Sequence, residues 1–418
     1  MELSKTFQQI KSYANNRALP LIPFCAKNVS TLKEPSVFYE SLLNNTRNAK
    51  KRVALSALYI GTGAREQALV QELCDNLKQN AKLNVNITLD ANRAERVDQQ
   101  GNSSVSILQS VLAYDSVSFN LVNTNSSTNI IHRILSKFER WNELSSTYHS
   151  KLLVFDNDVI ITGANLSGIY FDKRQDRYIS IKSSKFLSDY IYGFLNEISN
   201  SLLPLDRVID SHNKNYVSST EYTEEDDFSD SYIIPLFQHG PSGVTSCDDF
   251  LMFLDSILPS HTQVHMSSGY LNPQLRLRLT SVLCPSEEAN GFYRGAGILK
   301  FVPRLYTALI QKYCHVNPAC SICLYKKPGW SYHAKGIWFD GLDDLTIHMV
   351  GSSNFNWRSS TRDFELQFVV LTRNRYLKDI LEEDRQRLWA DSKPLRQTDF
   401  EGLNPIYNMV ASIIKSLL

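Results

Sequence analysis

No run of eighteen consecutive apolar residues occurs in this chain, so no helix of it can cross a bilayer. Charge of one sign is not in excess either: 44 Lys and Arg face 43 Asp and Glu, a formal net charge of +1. That balance, without basic patches interleaved with aromatics, gives nucleic acid no general attraction. Cysteine is scarce and odd in number, seven in 418 residues, which provides no disulfide framework and suits a reducing compartment. Cys314, His315, Cys320 and Cys323 crowd together, but two are adjacent and only one C-x-x-C is present. Structural zinc needs four well-placed ligands, so reduced thiols and no metal are expected. No secretory signal is visible, and the sequons at Asn28 and Asn102 therefore carry no weight. What is present, 43% hydrophobic and 21% charged residues over 418, suits a globular protein of two ordinary domains.

The chain contains an internal repeat. Tyr148-His149-Ser150-Lys151, ending in Asp156, returns as Tyr332-His333-Ala334-Lys335, ending in Asp340. Both copies read H-x-K-x4-D after a tyrosine, and both continue alike. Thr162-Gly163-Ala164-Asn165 matches Gly351-Ser352-Ser353-Asn354, and an acid follows each asparagine by eleven residues, Asp176 and Glu365. Small residues there let the asparagine approach something closely.

The rest of the sequence is organised around the two copies. Residues 1–34 form an N-terminal segment, acid-poor at its start, with Leu3, Phe7, Ile10 and Ala14 at helical spacing. It fits a mitochondrial presequence and equally a helix packed on the body. Residues 35–205 alternate strands and helices, which predicts an α/β lobe: helix 36–50, strand 52–60, the turn Gly61-Thr62-Gly63, then further elements through helix 185–199. Residues 206–231 change character and hold the acidic run 221–227, read as a solvated linker. Residues 232–400 restate the first lobe: helix 248–258, strand 263–267 ending in an echo of Ser56 to Tyr59, helix 275–283, helix 303–313, the second motif and helix 376–389. Residues 401–418 predict an amphipathic helix capped by Asn404 and Pro405, with Ile406, Met409, Val410, Ile413, Ile414, Leu417 and Leu418 in one stripe. It either docks on the protein or lies in a membrane interface.

On a strand, residues i and i+2 share a face, so each His points with its Lys. Asp156 and Asp340 sit at odd spacing and read as supports for turn and strand. Asp176 and Glu365 can each accept an imidazole N–H, which fixes the tautomer and makes the other nitrogen more basic. Two lobes related by a pseudo-twofold axis would pool two His, two Lys and two Asn between them. That inventory suits phosphoryl chemistry without a cofactor: one histidine attacks phosphorus and the other moves protons. The lysines and asparagines then stabilise charge on the non-bridging oxygens.

These motifs resemble the phospholipase D superfamily, and the resemblance implies two phospholipase D-like lobes, each a mixed sheet flanked by helices, with the active site between them. Gly163-Ala164-Asn165-Leu166-Ser167, Tyr170-Phe171, Arg174-Gln175-Asp176-Arg177-Tyr178, the Leu58 to Gly63 stretch with Glu66, Arg140-Trp141-Asn142-Glu143 and Ala289-Asn290-Gly291-Phe292-Tyr293 are similar to the eukaryotic phosphatidylglycerophosphate synthases. The similarity spans 35–389; an insertion at 341–345 lengthens a loop and leaves the motif whole. It implies transfer of a phosphatidyl group from CDP-diacylglycerol to sn-glycerol 3-phosphate, peripherally at the matrix side of the mitochondrial inner membrane. It further implies catalysis by His149, Lys151, Asp156, His333, Lys335, Asp340, Asn165, Asn354, Asp176 and Glu365, with His149 as nucleophile and His333 as acid and base. The sequence itself does not separate the two roles. Gly61, Thr62 and Gly63 join a strand end to a helix N-terminus and would hold a phosphate or simply make a tight turn. Arg174, Arg177, Arg358 and Arg362 would clamp phosphate or form structural salt bridges. Serine or water as acceptor, and an inactive lipid-binding scaffold, are the rival functions.

Overall fold

The computed structural model describes residues 5–124, 146–201, 203–222, 230–273, 277–342 and 344–415. The strands of the first half are β1 (Ile22–Pro23), β2 (Val29–Thr31), β3 (Arg52–Ala57), β4 (Asn84–Asp90), β5 (Val117–Val122), β6 (Leu152–Phe155), β7 (Asp158–Thr162), β8 (Arg174–Gln175) and β9 (Tyr178–Ile181). Those of the second half are β10 (Ser231–His239), β11 (Val244–Thr245), β12 (Gln263–Ser267), β13 (Ser281–Pro285), β14 (Ser321–Tyr325), β15 (Ser331–Tyr332), β16 (Gly336–Asp340), β17 (Thr346–Gly351), β18 (Glu365–Thr372) and β19 (Ser392–Pro394).

Two mixed sheets result, and they are copies of one another. The first runs β2-β9-β7-β6-β3-β4-β5, and the second contains β18-β17-β16-β12-β13-β14 in the matching order. Orientation matches too. β3, β4 and β5 pair in parallel as β12, β13 and β14 do, and every remaining matched pair is antiparallel. Near-continuous apolar strands such as Leu152-Leu153-Val154-Phe155 are buried on both faces, as layered α/β packing demands. One face of the first sheet carries helices Pro35–Asn48, Ala64–Gln79 and Ser104–Leu112. Its other face meets the second sheet in a common core, where Leu152, Val154 and Ile161 join Phe364, Phe368 and helix Lys185–Asn200.

Two expectations change, and one open alternative is decided. The solvated linker is not solvated at its start: helix Leu205–Ser219 buries Val208, Ile209, His212 and Asn213 beside helix Lys185–Asn200. A narrow apolar stripe inside a polar sequence was enough to dock it. The acidic run lies outside the described residues from 223 onward. Residues 281–283, expected at the end of a helix, are strand β13, the counterpart of β4. A short fully buried apolar run has no period that separates helix from strand. The N-terminal helix, Lys5–Asn16, is packed on the second lobe through Phe7, Ile10, Tyr13 and Ala14.

Candidate active site

Neither His-Lys pair lies within a regular strand. Each occupies an extended link between a short pairing to the opposite lobe and the core strand that follows. In the first, Tyr148 pairs in parallel with Phe364, and the His149 N–H donates to the Phe364 carbonyl at 2.8 Å. In the second, β15 pairs in parallel with β8, and the His333 N–H donates to the Gln175 carbonyl at 2.8 Å. Tyr148 and Tyr332 anchor these links through their hydroxyls, to Ser56 at 2.8 Å and to Ser267 at 2.6 Å. The tyrosine before each motif and the serine echo are therefore one repeated brace.

The inter-lobe pairing determines which acid meets which histidine. His149 Nδ1 lies 3.0 Å from Glu365 of the second lobe, and His333 Nδ1 lies 2.7 Å from Asp176 of the first. Each acid thus serves the histidine of the opposite motif. The Glu365 carboxylate also accepts from Ser359 Oγ at 2.8 Å, and the Asp176 carboxylate from the Arg177 N–H at 2.8 Å. Both carboxylates are fully buried and can each accept an Nδ1–H, the tautomer that leaves Nε2 as the working nitrogen; Lys335 Nζ also lies 2.6 Å from His333 Nδ1.

The lysines sit beside their histidines, Lys151 donating to the His149 carbonyl and Lys335 to the His333 carbonyl at 2.5 Å. Lys335 Nζ also lies 4.0 Å from Asp176. Gly163 makes room for this arrangement: a Cβ there would come within 2.8 Å of the Lys335 stem and 2.9 Å of the Asp176 carboxylate. Burial pushes both lysines down to about 7, against the pull of Glu365 on Lys151 and of Asp176 on Lys335. Burial likewise lowers His149, and it lowers His333 further together with the charges of Lys335 and Arg174. Asp176 is raised by burial. With both histidines favoured neutral, the two lysines face the two carboxylates, and a phosphate brought beside them would favour their ammonium form.

Asn165 and Asn354 belong to the same centre. Each has its side-chain Oδ1 buried without a partner, while Asn165 Nδ2 donates to the Tyr170 hydroxyl at 3.2 Å. Their amide planes can rotate to offer N–H instead. Buried polar atoms without partners at a functional centre call for a ligand.

The arginines separate. Arg174 crosses the lobes, donating to the Tyr270 hydroxyl at 3.1 Å while its guanidinium lies over Tyr170 and its Nε is buried without a partner. Tyr170 and Tyr270 each meet the His333 ring edge-on, at 5.2 and 5.6 Å. Arg177 is consumed in the fold: it donates to Asp384 at 2.7 Å, to the Lys335 carbonyl at 3.0 Å and to His348 at 2.8 Å, flat against Trp338. Its place among substrate ligands is withdrawn. Arg358 is paired with Asp363 at 2.7 Å, and half-buried Arg362 is lowered by burial and by the Arg358 charge. Asp156 and Asp340, though part of the repeated motif, stand away from the chemistry. Asp156 accepts from the backbone N–H groups of Lys50, Lys51 and Arg52, and Asp340 lies beside His265 and Arg385. The Gly61 turn wraps the buried Glu66 side chain, which also accepts from the Gly168 N–H at 2.6 Å. It borders a cavity of about 790 Å³ lined also by Arg93 and Arg96. Arg140 to Glu143 lie outside the described residues.

Tyr170, Tyr270, Ser56 and Ser267 escaped the sequence reading as site residues. For Ser56, Ser267 and Tyr270 the signal was present in the shared Ser-x-x-Tyr at the ends of β3 and β12.

No family model matches the sequence. The CDP-diacylglycerol–glycerol-3-phosphate 3-phosphatidyltransferase of Saccharomyces cerevisiae is 29% identical, covering 91% of this chain and 85% of its own. The chain is a homologue of these phosphatidyltransferases. The human mitochondrial enzyme of the same name is 27% identical over 92% of this chain and 81% of its own. The fold is phospholipase D-like. Among solved structures, the phosphatidylserine synthase of Haemophilus influenzae Rd KW20 superposes with a TM-score of 0.74 at 19% identity, over 98% of this chain and 100% of that one.

Proposed function

We propose that this chain transfers a phosphatidyl group from CDP-diacylglycerol to sn-glycerol 3-phosphate, releasing CMP and giving phosphatidylglycerophosphate. The reading is carried by one observation above others: two histidines, each with its Nδ1 set against a buried acid of the opposite lobe. The names of the phosphatidyltransferase homologues supply the substrates.

His149 Nε2 attacks the phosphorus of the phosphatidyl group. The bond to the CMP oxygen breaks, and that oxygen takes the electron pair, with a proton from His333 Nε2 where one is needed. A hydroxyl of glycerol 3-phosphate then gives its proton to His333 and attacks phosphorus, and the pair in the P–N bond returns to His149. Lys151, Lys335, Asn165 and Asn354 stabilise the non-bridging oxygens through both steps. Arg174 is suited to a second phosphate, of the diphosphate or of the acceptor. Arg358 and Arg362 would contribute at the rim, and the cavity beside Gly61, Thr62 and Gly63 is room for a polar headgroup.

The human relative's name supports a mitochondrial setting. We assign the chain to the matrix side of the inner membrane, at the membrane surface where its lipid substrate resides. The deciding experiment is incubation with CDP-diacylglycerol and, separately, glycerol 3-phosphate, serine or water, with the lipid product identified. Absence of glycerol-phosphate-dependent CMP release overturns the reading.

A reversed division of labour is the second reading. His333 is the more deeply buried histidine, 3% exposed at its side chain against 12% for His149, and is held further below its ordinary range. A neutral imidazole is the nucleophilic form.

A further inference from the structure

The two lobes share their core machinery and differ at their rims. On the first lobe the ends of β3 and β4 open into the cavity beside Gly61. On the second, the corresponding ground is built over by segment 287–301, helix Val302–Val316 and the C-terminal helix Pro405–Ile414. That last helix has two apolar stripes, not one. Tyr407, Val410, Ala411 and Ile414 pack on Leu305, Tyr306 and Leu309. Ile406, Met409 and Ile413, spaced by three and four residues, face outward at 59%, 59% and 72% exposure. Phe301 and Tyr293, from the neighbouring segment, are exposed as well. The sequence reading had merged the two stripes; Leu417 and Leu418 lie outside the described residues.

Charge singles out the same ground. Residues 289–316 and 402–418 contain no aspartate or glutamate, in a chain where 43 of 418 residues are acidic. They do contain Arg294, Lys300, Lys312 and Lys415, beside an Arg304 that is paired with Glu287. Lys300 lies over the Phe301 ring and Arg294 over the Tyr293 ring, so cation and exposed aromatic are presented together. Segments that carry exposed apolar side chains and cations, with no carboxylate of their own, match an anionic lipid surface, where rings and aliphatic chains enter the headgroup boundary and ammonium groups meet phosphate.

The surface is also continuous with the catalytic centre. Tyr270, which meets His333 and Arg174, packs on Tyr306 and on the same cluster that holds the C-terminal helix. The helix's last turn reaches the rim, where the Lys415 carbonyl accepts from Asn272 at 2.6 Å and the Lys415 ammonium lies over Trp357.

We propose that the exposed face of Pro405–Ile414, with Phe301 and Tyr293, docks this protein on an anionic bilayer and sets the second-lobe rim of the active site against it. The proposal rests on the phosphatidyl-transfer reading for why a lipid must reach His149 and His333. The docking itself is measured without turnover. The full chain should float with vesicles of equal parts phosphatidylcholine and phosphatidylglycerol, and float less with phosphatidylcholine alone or in high salt. Ile406→Asp combined with Ile413→Asp should lower partitioning by roughly tenfold or more, since each substitution takes an apolar side chain out of the boundary. Met252→Asp, at an exposed position on another helix, should leave it unchanged. Equal flotation of the double variant and wild type overturns the proposal, as does an equal loss in Met252→Asp. A dimer in vesicle-free solution that the double variant dissolves would assign the face to a second copy and also overturn it. His149→Ala separates the two levels: it should float as wild type and transfer nothing. The double variant should keep wild-type kcat on detergent-dispersed CDP-diacylglycerol.

Discussion

Asp176→Asn tests the crossed acids most directly. In the native site one carboxylate oxygen accepts from the Arg177 N–H at 2.8 Å, and the other takes the Nδ1–H of His333 at 2.7 Å. An asparagine can meet the Arg177 N–H only with its Oδ1. Its NH2 is then forced toward His333, where it donates to Nδ1 and drives the imidazole proton to Nε2. A histidine protonated there in its neutral form cannot accept a proton from the acceptor hydroxyl. The side chain keeps its volume, so packing changes little, but the proton-transfer contribution is lost. That contribution is roughly a hundredfold to ten-thousandfold, or about 3–5 kcal/mol of transition-state free energy. Steady-state formation of the phosphatidyl product should show the fall in kcat, with substrate KM changed far less. Circular dichroism and thermal unfolding should show a folded chain. If folded Asp176→Asn keeps more than about a third of wild-type kcat, the crossed pairing has no catalytic role and the reasoning fails.

Lys151 and Lys335 are each held near 7, and only the ammonium form neutralises phosphate oxygens. A lowered ammonium pKa places the loss on the alkaline side, so kcat/KM should fall as pH rises through about 7. Bound phosphate charge raises both lysines, which should shift the same limb in kcat to higher pH; a kcat/KM profile flat to about pH 9 refutes this. Gly163→Ala should lower kcat by about tenfold to a hundredfold, because its Cβ displaces the Lys335 stem; an unchanged rate in the purified variant would refute the steric argument. Arg177→Lys should lower stability by about 3 kcal/mol, since the buried fork to Asp384 and the Lys335 carbonyl is lost. Thermal unfolding measures it, and a raised KM with unchanged stability would return Arg177 to the substrate site.

How much of this was legible depends on how local the signal is. The motif, its asparagine and its following acid are written in short stretches, and duplication made them stand out. The crossing was not legible. His149 meets Glu365 and His333 meets Asp176 only because Tyr148 pairs with Phe364 and β15 with β8, contacts between lobes that leave no mark in either copy alone. Arg177 shows the same difficulty. An arginine beside an acid reads identically whether it clamps a substrate or braces a core, and only its partners Asp384 and His348 decide. Strand β13 was misread because burial on both faces erases the alternation that marks a strand. Asp156 and Asp340 were counted with the chemistry through the motif, while strand alternation had already turned them away from it.

The duplicated site leaves one question that the chemistry of the leaving group can answer. CMP departs as a phosphate monoester whose second pKa is about 6, so it needs little protonation at neutral pH. The acceptor hydroxyl is a far weaker acid and needs a base. The two histidines are therefore unequally required in the two steps: the nucleophile in both, its partner chiefly in the second. If His149 is the nucleophile, His333→Ala should still form the covalent intermediate and then stall. Brief incubation with CDP-diacylglycerol labelled in its phosphatidyl group should leave acid-labile, alkali-stable label on His333→Ala, with about one CMP released per chain. His149→Ala should carry none. Glycerol 3-phosphate should discharge the label from wild type and leave it on His333→Ala. The opposite pattern, label on His149→Ala alone, would mean that the deeper burial of His333 marks the nucleophile, and the roles would exchange while Asp176 and Glu365 kept theirs.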